Sequence, residues 1–182
     1  MLKWIAASVG AVALAAGLLL FEPWRAFTSS EVDEAAPMSE RLPATAAPSA
    51  TGSPATAPRQ DRVLSTGEFV DAEHGTDGTA KVLELADGRR FLRLEGLSTS
   101  DGPDLHVWLS DGKPGGSWGK YDDDEYLRLG KLKATNGNQN YRIPDGADLS
   151  RYRSAVIWCD RFNVAFGTAP VRVAQDGPTG AS

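Results

Sequence analysis

The feature that most constrains the fold is the run 154–167, which contains Cys159, the only cysteine of the chain. In the residues up to Cys159, the side chains that would point to either face of a strand are apolar, a pattern typical of a strand that is buried on both faces. After the polar residues Asp160 and Arg161, apolar and polar residues alternate strictly from Phe162 to Phe166, which predicts a half-exposed strand. The gap is too short for a crossover helix, so the two pieces form either a tight hairpin or one bulged strand. The thiol is therefore expected at the edge of the core, next to a turn.

Short alternating segments separated by Gly-rich turns fill the rest of the C-terminal two-thirds of the chain. The predicted strands are 67–71, 79–85, 90–95, 104–110, 125–130, 139–143, 154–159, 162–166 and 171–173. A turn is expected at 136–138, and one short helical turn at 148–152. About eight to nine short strands without long helices predict an all-β domain, either an antiparallel β-sandwich or a barrel.

The N-terminus carries a targeting signal. No charged residue occurs from Trp4 to Phe21, and at 1.5 Å per residue this run spans roughly 27 Å as a helix, close to the ~30 Å hydrocarbon core of a bilayer. Lys3 favours a cytoplasmic N-terminus. We expect residues 1–27 to form a single transmembrane helix that holds the remainder outside the cell. Cleavage of this segment as a signal peptide is the alternative.

Residues 28–60 are rich in Pro, Ala, Ser and Thr and contain almost no large apolar side chain. This composition cannot build a core, so we predict a disordered stalk. If fully extended, such a stalk would hold the domain on the order of 100 Å from the membrane. The globular domain is then expected at 61–175, followed by a disordered tail at 176–182.

Composition excludes several kinds of function. The net charge of −5, without a basic block in the globular part, argues against nucleic acid or an anionic lipid surface as the main partner. With one cysteine no internal disulfide can form. The stability of the domain must therefore come from packing, although the compartment expected for it permits disulfides. The acidic run 122–125 lacks the ligand rhythm of a calcium loop, and no metal site is predicted.

The candidate chemistry centres on Cys159. An unpaired cysteine in an exported protein has two interpretations, a redox thiol or ligand, and a buried thiol that packs as a small apolar group. His106 shares a strand face with Trp108, which predicts that it lies on an exposed face or in a barrel lumen. His74 is expected in a surface turn. Neither histidine follows the cysteine closely enough to indicate a blue-copper site.

Several segments together resemble the DM-thirteen domain, a β-rich extracytoplasmic domain described as an electron-transfer module. The segments that carry the resemblance are 67–69, His74 with 78–80, 102–110, 132–133, 137–144, 156–159 and 162–169. The resemblance implies that Cys159 is the hallmark cysteine of the family, proposed to act as a redox thiol or to bind a group such as haem. Cys159, His106 and Trp158 are then the candidate residues around a bound cofactor.

Two functions follow from these observations. The first is a membrane-tethered extracytoplasmic redox or electron-transfer module centred on Cys159, whose electron partner would be a separate redox protein of the cell envelope. The second is a non-catalytic binding or structural β-domain of the envelope, in which the cysteine is merely buried. In that case Trp118 and Tyr121, in the Gly-rich loop, are expected to contact a partner or to cap the core.

Overall fold

The computed structural model describes Gly10 and residues 29–39, 59–71, 75–123 and 125–173. Within these residues the chain forms ten β-strands and two short 3₁₀ helices. The strands are β1 (Glu31–Asp33), β2 (Arg62–Glu68), β3 (Val70–Asp71), β4 (Asp77–Glu84), β5 (Arg90–Ser98), β6 (Leu105–Ser110), β7 (Tyr126–Lys131), β8 (Asn136–Ile143), β9 (Ser154–Cys159) and β10 (Val164–Pro170). The 3₁₀ helices are Lys120–Asp122 and Leu149–Arg151.

The strands form two five-stranded sheets. The first has the order β1-β8-β5-β4-β2 and the second the order β3-β10-β9-β6-β7. All pairs are antiparallel except β1 with β8, which is parallel. The main core lies between the sheets and includes Leu92, Leu94, Val107, Ile157 and Phe166. The predicted all-β class is confirmed, and of the two predicted architectures the chain adopts the sandwich.

β9 occupies the centre of the second sheet, and all six of its residues are buried. This confirms the prediction of a central strand that is apolar on both faces. β9 and β10 form a hairpin, in which Cys159 pairs with Val164 across the turn 160–163. Asn163 adopts a φ of 56°, a left-handed conformation that asparagine tolerates better than most residues. Phe162 was predicted to be the first residue of a strand, but it lies in this turn and is 51% exposed.

Two further sequence predictions were wrong for identifiable reasons. Residues 136–138 were expected to form a turn, but they open β8, where Gly137 has a φ of 98° beside an irregularity in the pairing with β5. The Asn-Gly-Asn sequence therefore lies opposite a bulge of β5, and its glycine allows the close approach of the β1 backbone instead of reversing the chain. Residues 171–173 were expected to form a strand, but β10 ends at Pro170, which has no N–H to donate to a ladder.

The segment 29–39 belongs to the stretch that the sequence assigns to the stalk, yet it lies along the edge of the first sheet. Residues 31–33 pair with residues 136–138 of β8. The Ser30 carbonyl accepts from the backbone N–H of Asn136 at 2.9 Å. The Glu34 carboxylate accepts from Lys133 Nζ at 2.7 and 2.9 Å and from the backbone N–H of Asn140 at 2.8 Å. The sandwich therefore includes a strand, β1, that the Pro- and Ala-rich sequence around it did not predict.

The predicted membrane span, Trp4–Phe21, lies outside the described residues except for Gly10, as do the predicted tail 176–182 and His74. In the part of the chain that the structure describes, no helix has the length and apolar character needed to cross a membrane.

Candidate functional site

The outer face of the second sheet carries a small apolar cluster of its own, separate from the core between the sheets. Trp108 of β6 and Trp158 of β9 are each 1% exposed and belong to this cluster. The loop after β6 contributes Tyr121 to it, whose hydroxyl lies 3.1 Å from the carbonyl oxygens of both Lys113 and Gly115 and shares its one proton between them. Tyr121 therefore caps the cluster, whereas Trp118 of the same loop is 41% exposed.

Cys159 lies on the opposite, inner face of the same sheet. Successive strand residues point to opposite faces, so Trp158 joins the outer cluster and Cys159 joins the core between the sheets. The thiol is 0% exposed. It is the last residue of β9, as the sequence predicted, but no opening to solvent accompanies that position.

His106 lies on the outer face, in register with Trp158 on the neighbouring strand. Its Nε2 atom is 3.0 Å from Oδ1 of Asp104 and 3.3 Å from Oδ2 of Asp160. Because ionised carboxylates only accept hydrogen bonds, Nε2 carries a proton and donates it. The backbone N–H of Asp160 also donates to the Asp104 carbonyl at 3.0 Å, which fixes the two acidic residues relative to each other. We refer to Asp104, His106 and Asp160 as the acid–histidine cluster.

Two cations pair with the carboxylates of this cluster. Arg128 of β7 donates to both oxygens of Asp160, at 2.7 and 3.1 Å, and this pairing raises the pKa of Arg128. Lys131 Nζ lies 3.2 Å from Oδ1 of Asp104. The hydrogen bond from Lys131, assisted by the one from His106, lowers the pKa of Asp104 despite partial desolvation of the carboxyl group. Arg128 and Lys131 therefore balance the charges of the two carboxylates.

Arg128 also connects the acid–histidine cluster to a stack of aromatic rings. Its guanidinium carbon lies 4.7 Å from the centre of the Trp108 ring. Trp108 stacks on Trp158 with ring centres 4.7 Å apart and on Tyr126 with ring centres 4.4 Å apart. Tyr126 is 38% exposed, so the stack leads from the covered face of the sheet to solvent. We refer to Trp158, Trp108 and Tyr126 as the aromatic column.

The structure brings two of the three predicted site residues together. His106 and Trp158 are neighbours on the outer face, because they pair in register across β6 and β9. Cys159 lies on the other side of the sheet, so the three side chains do not converge on one cofactor.

Haem ligation through Cys159 does not fit this conformation. The sulfur is enclosed in the core between the sheets, and a haem iron needs an open approach to its axial ligand. A cavity of about 570 Å³ among the described residues is lined by Asp104 and Lys131 but not by Cys159.

The acid–histidine cluster has the residue types of a metal site. Among the described residues it is the group of His, Cys, Asp and Glu side chains whose ligand atoms all lie within 4.8 Å of one another. A metal ion would have to compete with Arg128 and Lys131 for the same oxygens.

Sequence reasoning missed several residues of this region. Asp104 and His106 are two positions apart, and so are Tyr126 and Arg128, which indicates a shared face when each pair lies on one strand. The sequence marks Asp160 only as a polar residue at the end of the apolar run around Cys159. What the sequence could not provide is the strand order, which places β7 and β9 on either side of β6.

The fold and the site define a disulfide-free β-sandwich with a buried thiol on one face of its second sheet and a charged, aromatic-rich site on the other. This chain belongs to the electron transfer DM13 family, whose profile matches residues 68–171, more than half of the 182 residues. No curated protein and no solved structure matches the chain significantly.

Proposed function

We propose that this chain is a membrane-tethered, extracytoplasmic electron-transfer module in which the aromatic column carries the electron. The observation that carries the proposal is the continuous contact from buried Trp158 through Trp108 to partly exposed Tyr126. The family description supports electron transfer as the general activity. The apolar run 4–21 motivates the tether.

The column has the properties that one-electron transfer requires. Indole and phenol are among the most readily oxidised side chains, and stacked rings provide orbital overlap across van der Waals contact. When a one-electron oxidant, such as a redox protein of the envelope, takes an electron from Tyr126, an electron from Trp108 replaces it and one from Trp158 replaces that of Trp108 in turn, so the phenol keeps its proton. A one-electron donor protein that meets Tyr126 then returns an electron to the column by the same route.

In this proposal Cys159 is not the group that meets the partner. A thiol in an apolar core has no base to accept its proton and no path for a reagent. The side chain of Cys159 fills the core between the sheets, and Cys159 directly follows Trp158 of the column in sequence.

Flash photolysis with a soluble photo-oxidant tests the column. After oxidation of the protein we expect transient tyrosyl and tryptophanyl signals. Trp108→Phe should reduce the tryptophanyl signal several-fold, because it interrupts the column. Trp108 Nε1 has no hydrogen-bond partner among the described residues, so this variant loses no such bond. Trp118→Phe, outside the column, is the matched control. Equal signals in both variants would refute the proposed route.

A second function is favoured by one specific observation, the complete burial of Cys159. A binding or structural domain of the envelope needs the thiol only for packing. An unchanged radical signal in Trp108→Phe, together with a loss of stability in Cys159→Ser, is the result expected from this alternative.

A further inference from the structure

The point at which the chain enters the sandwich defines one end of the molecule. Ser30, immediately before β1, is held by Thr135, which donates from its backbone N–H to Ser30 Oγ at 3.1 Å and from its hydroxyl to the Ser30 carbonyl at 3.1 Å. Ser30 and Asp104 line the same cavity. The chain therefore joins the domain at the end that also carries the acid–histidine cluster.

The β9–β10 turn projects from this same end. Leu105 begins β6 opposite Cys159, so residues 160–163 extend beyond the sheet where Asp104 lies. At the tip of this turn Phe162 is 51% exposed, and Arg161 beside it is exposed too. Trp118, 41% exposed, lies alongside, because its carbonyl accepts from the backbone N–H of Ala165 at 3.0 Å. An exposed Phe and Trp with a neighbouring Arg are residue types that favour the membrane–water interface.

The length of chain before β1 limits how far this end can lie from a membrane. Seven residues, 22–28, separate the predicted span from Ser29. Eight steps along a fully extended chain cover at most about 29 Å. Residues 30–34 cannot act as a spacer, because they are hydrogen-bonded to the sandwich. The Pro-rich residues beyond β1 lie between β1 and β2 and do not lengthen the connection to the predicted span.

We propose that the turn 160–163 contacts the outer surface of the lipid bilayer, with Phe162 at the interface and with β1 holding the sandwich in place. The proposal rests on the membrane tether of the proposed function. The net charge of −5 provides no general attraction to lipid, so contact depends on the short connection and on the aromatic side chains. The acid–histidine cluster then faces the membrane side, within reach of a partner that lies in or on the bilayer.

Spin labelling of the full chain in phosphatidylcholine–phosphatidylglycerol vesicles tests this surface. Phe162→Cys and, as a control at the opposite end, Arg89→Cys in the β4–β5 turn each receive a nitroxide, while buried Cys159 of the unsubstituted chain gives the background. We expect the label at 162 to be several-fold less accessible to a water-soluble nickel chelate, and more accessible to oxygen, than the label at 89. Equal accessibility at both positions would overturn the proposal.

Two further measurements separate the proposal from its premise. Val32→Pro, which disrupts β1, should expose the label at 162 to the chelate as fully as the label at 89, while the protein still floats with the vesicles. Persistent protection in this variant would refute the role of β1. Failure of the unsubstituted chain to float would reject the tether, and the membrane contact with it, whereas flotation with equal accessibility would reject the contact alone.

Discussion

At the scale of single residues, Cys159 shows how burial decides what a thiol can do. The side chain lies among the apolar groups of the core between the sheets and has 0% exposure. In such surroundings a thiol acts as a small apolar group, and a reagent reaches it only when the domain opens. The stability of the fold, and not the reactivity of the sulfur, is therefore the property that substitutions at this position change.

We predict that Cys159→Ser destabilises the domain more than Cys159→Ala does. The serine hydroxyl would be buried without a partner, at a cost of about 1–3 kcal/mol, whereas the alanine leaves only a small cavity, about 1 kcal/mol. Urea unfolding measures both values, and thiol labelling of the unsubstituted chain should require the denaturant. A serine variant as stable as the unsubstituted chain would reveal a polar neighbour of the sulfur.

Arg128 contacts both Asp160 and Trp108, and a lysine at this position cannot make both contacts. The guanidinium pairs with both oxygens of Asp160 and lies over Trp108. We expect Arg128→Lys to lower the free energy of unfolding by roughly 1 kcal/mol. Arg142→Lys is the matched control. Arg142 pairs with both oxygens of Asp145 and is similarly exposed, but it lies farther from an aromatic ring, at 6.0 Å from Phe91. Equal losses in the two variants would show that the contact with Trp108 contributes nothing.

At the scale of elements, β1 is the strand that sequence could not find. Its three residues, Glu-Val-Asp, have only one apolar side chain and lie among small residues and prolines. It forms because the edge of β8 is open to pairing. Polar side chains of the two segments also bond to each other, among them Glu34 with Lys133 and Asp33 with Asn138. Such pairings join residues about a hundred positions apart, which no local pattern reveals.

We predict that Val32→Pro removes β1 without unfolding the sandwich. A proline in the middle of the strand cannot donate to the ladder, so the amides of Asn136 and Asn140 lose the partners that β1 provides. Hydrogen exchange at these two amides should then accelerate, while exchange at Ile157 in the central strand stays slow. Met38→Pro, at an exposed position beyond β1, is the control. Unchanged exchange in Val32→Pro would mean that β1 does not protect this edge.

The other elements were predictable to different degrees. β9 was predicted from its apolar residues on both faces, and β4 and β5 from the alternating segments 79–85 and 90–95. The site was predictable only in part, because alternation along one strand places His106 and Trp108 on the same face. The contacts of His106 with Trp158 and Asp160 depend on the pairing of β6 with β9, and this strand order is set by long-range packing.

At the scale of the whole molecule, the acidic side chains set the response to pH. Hydrogen bonds from Lys81 and Arg93 lower the pKa of Glu95, and hydrogen bonds led by Lys131 lower that of Asp104. A carboxyl group whose pKa is lower in the folded state stabilises the fold above its unfolded pKa of about 4, and this contribution disappears as the pH falls through the folded pKa.

We therefore predict that the free energy of unfolding decreases as the pH falls below about 4. Urea midpoints at neutral pH and at successively lower pH measure the decrease. Glu95→Gln should make the dependence shallower, because one of the responsible groups no longer titrates. Urea midpoints that stay constant as the pH falls well below 4 would contradict the stabilising role of these carboxyl groups.

The pairing of β1 with β8 also constrains the order of events during synthesis. β1 leaves the ribosome before any other part of the sandwich, yet its partner strand follows more than a hundred residues later. The first sheet therefore cannot be completed until most of the polypeptide has been made, and a chain that stalls earlier exposes an unpaired β1.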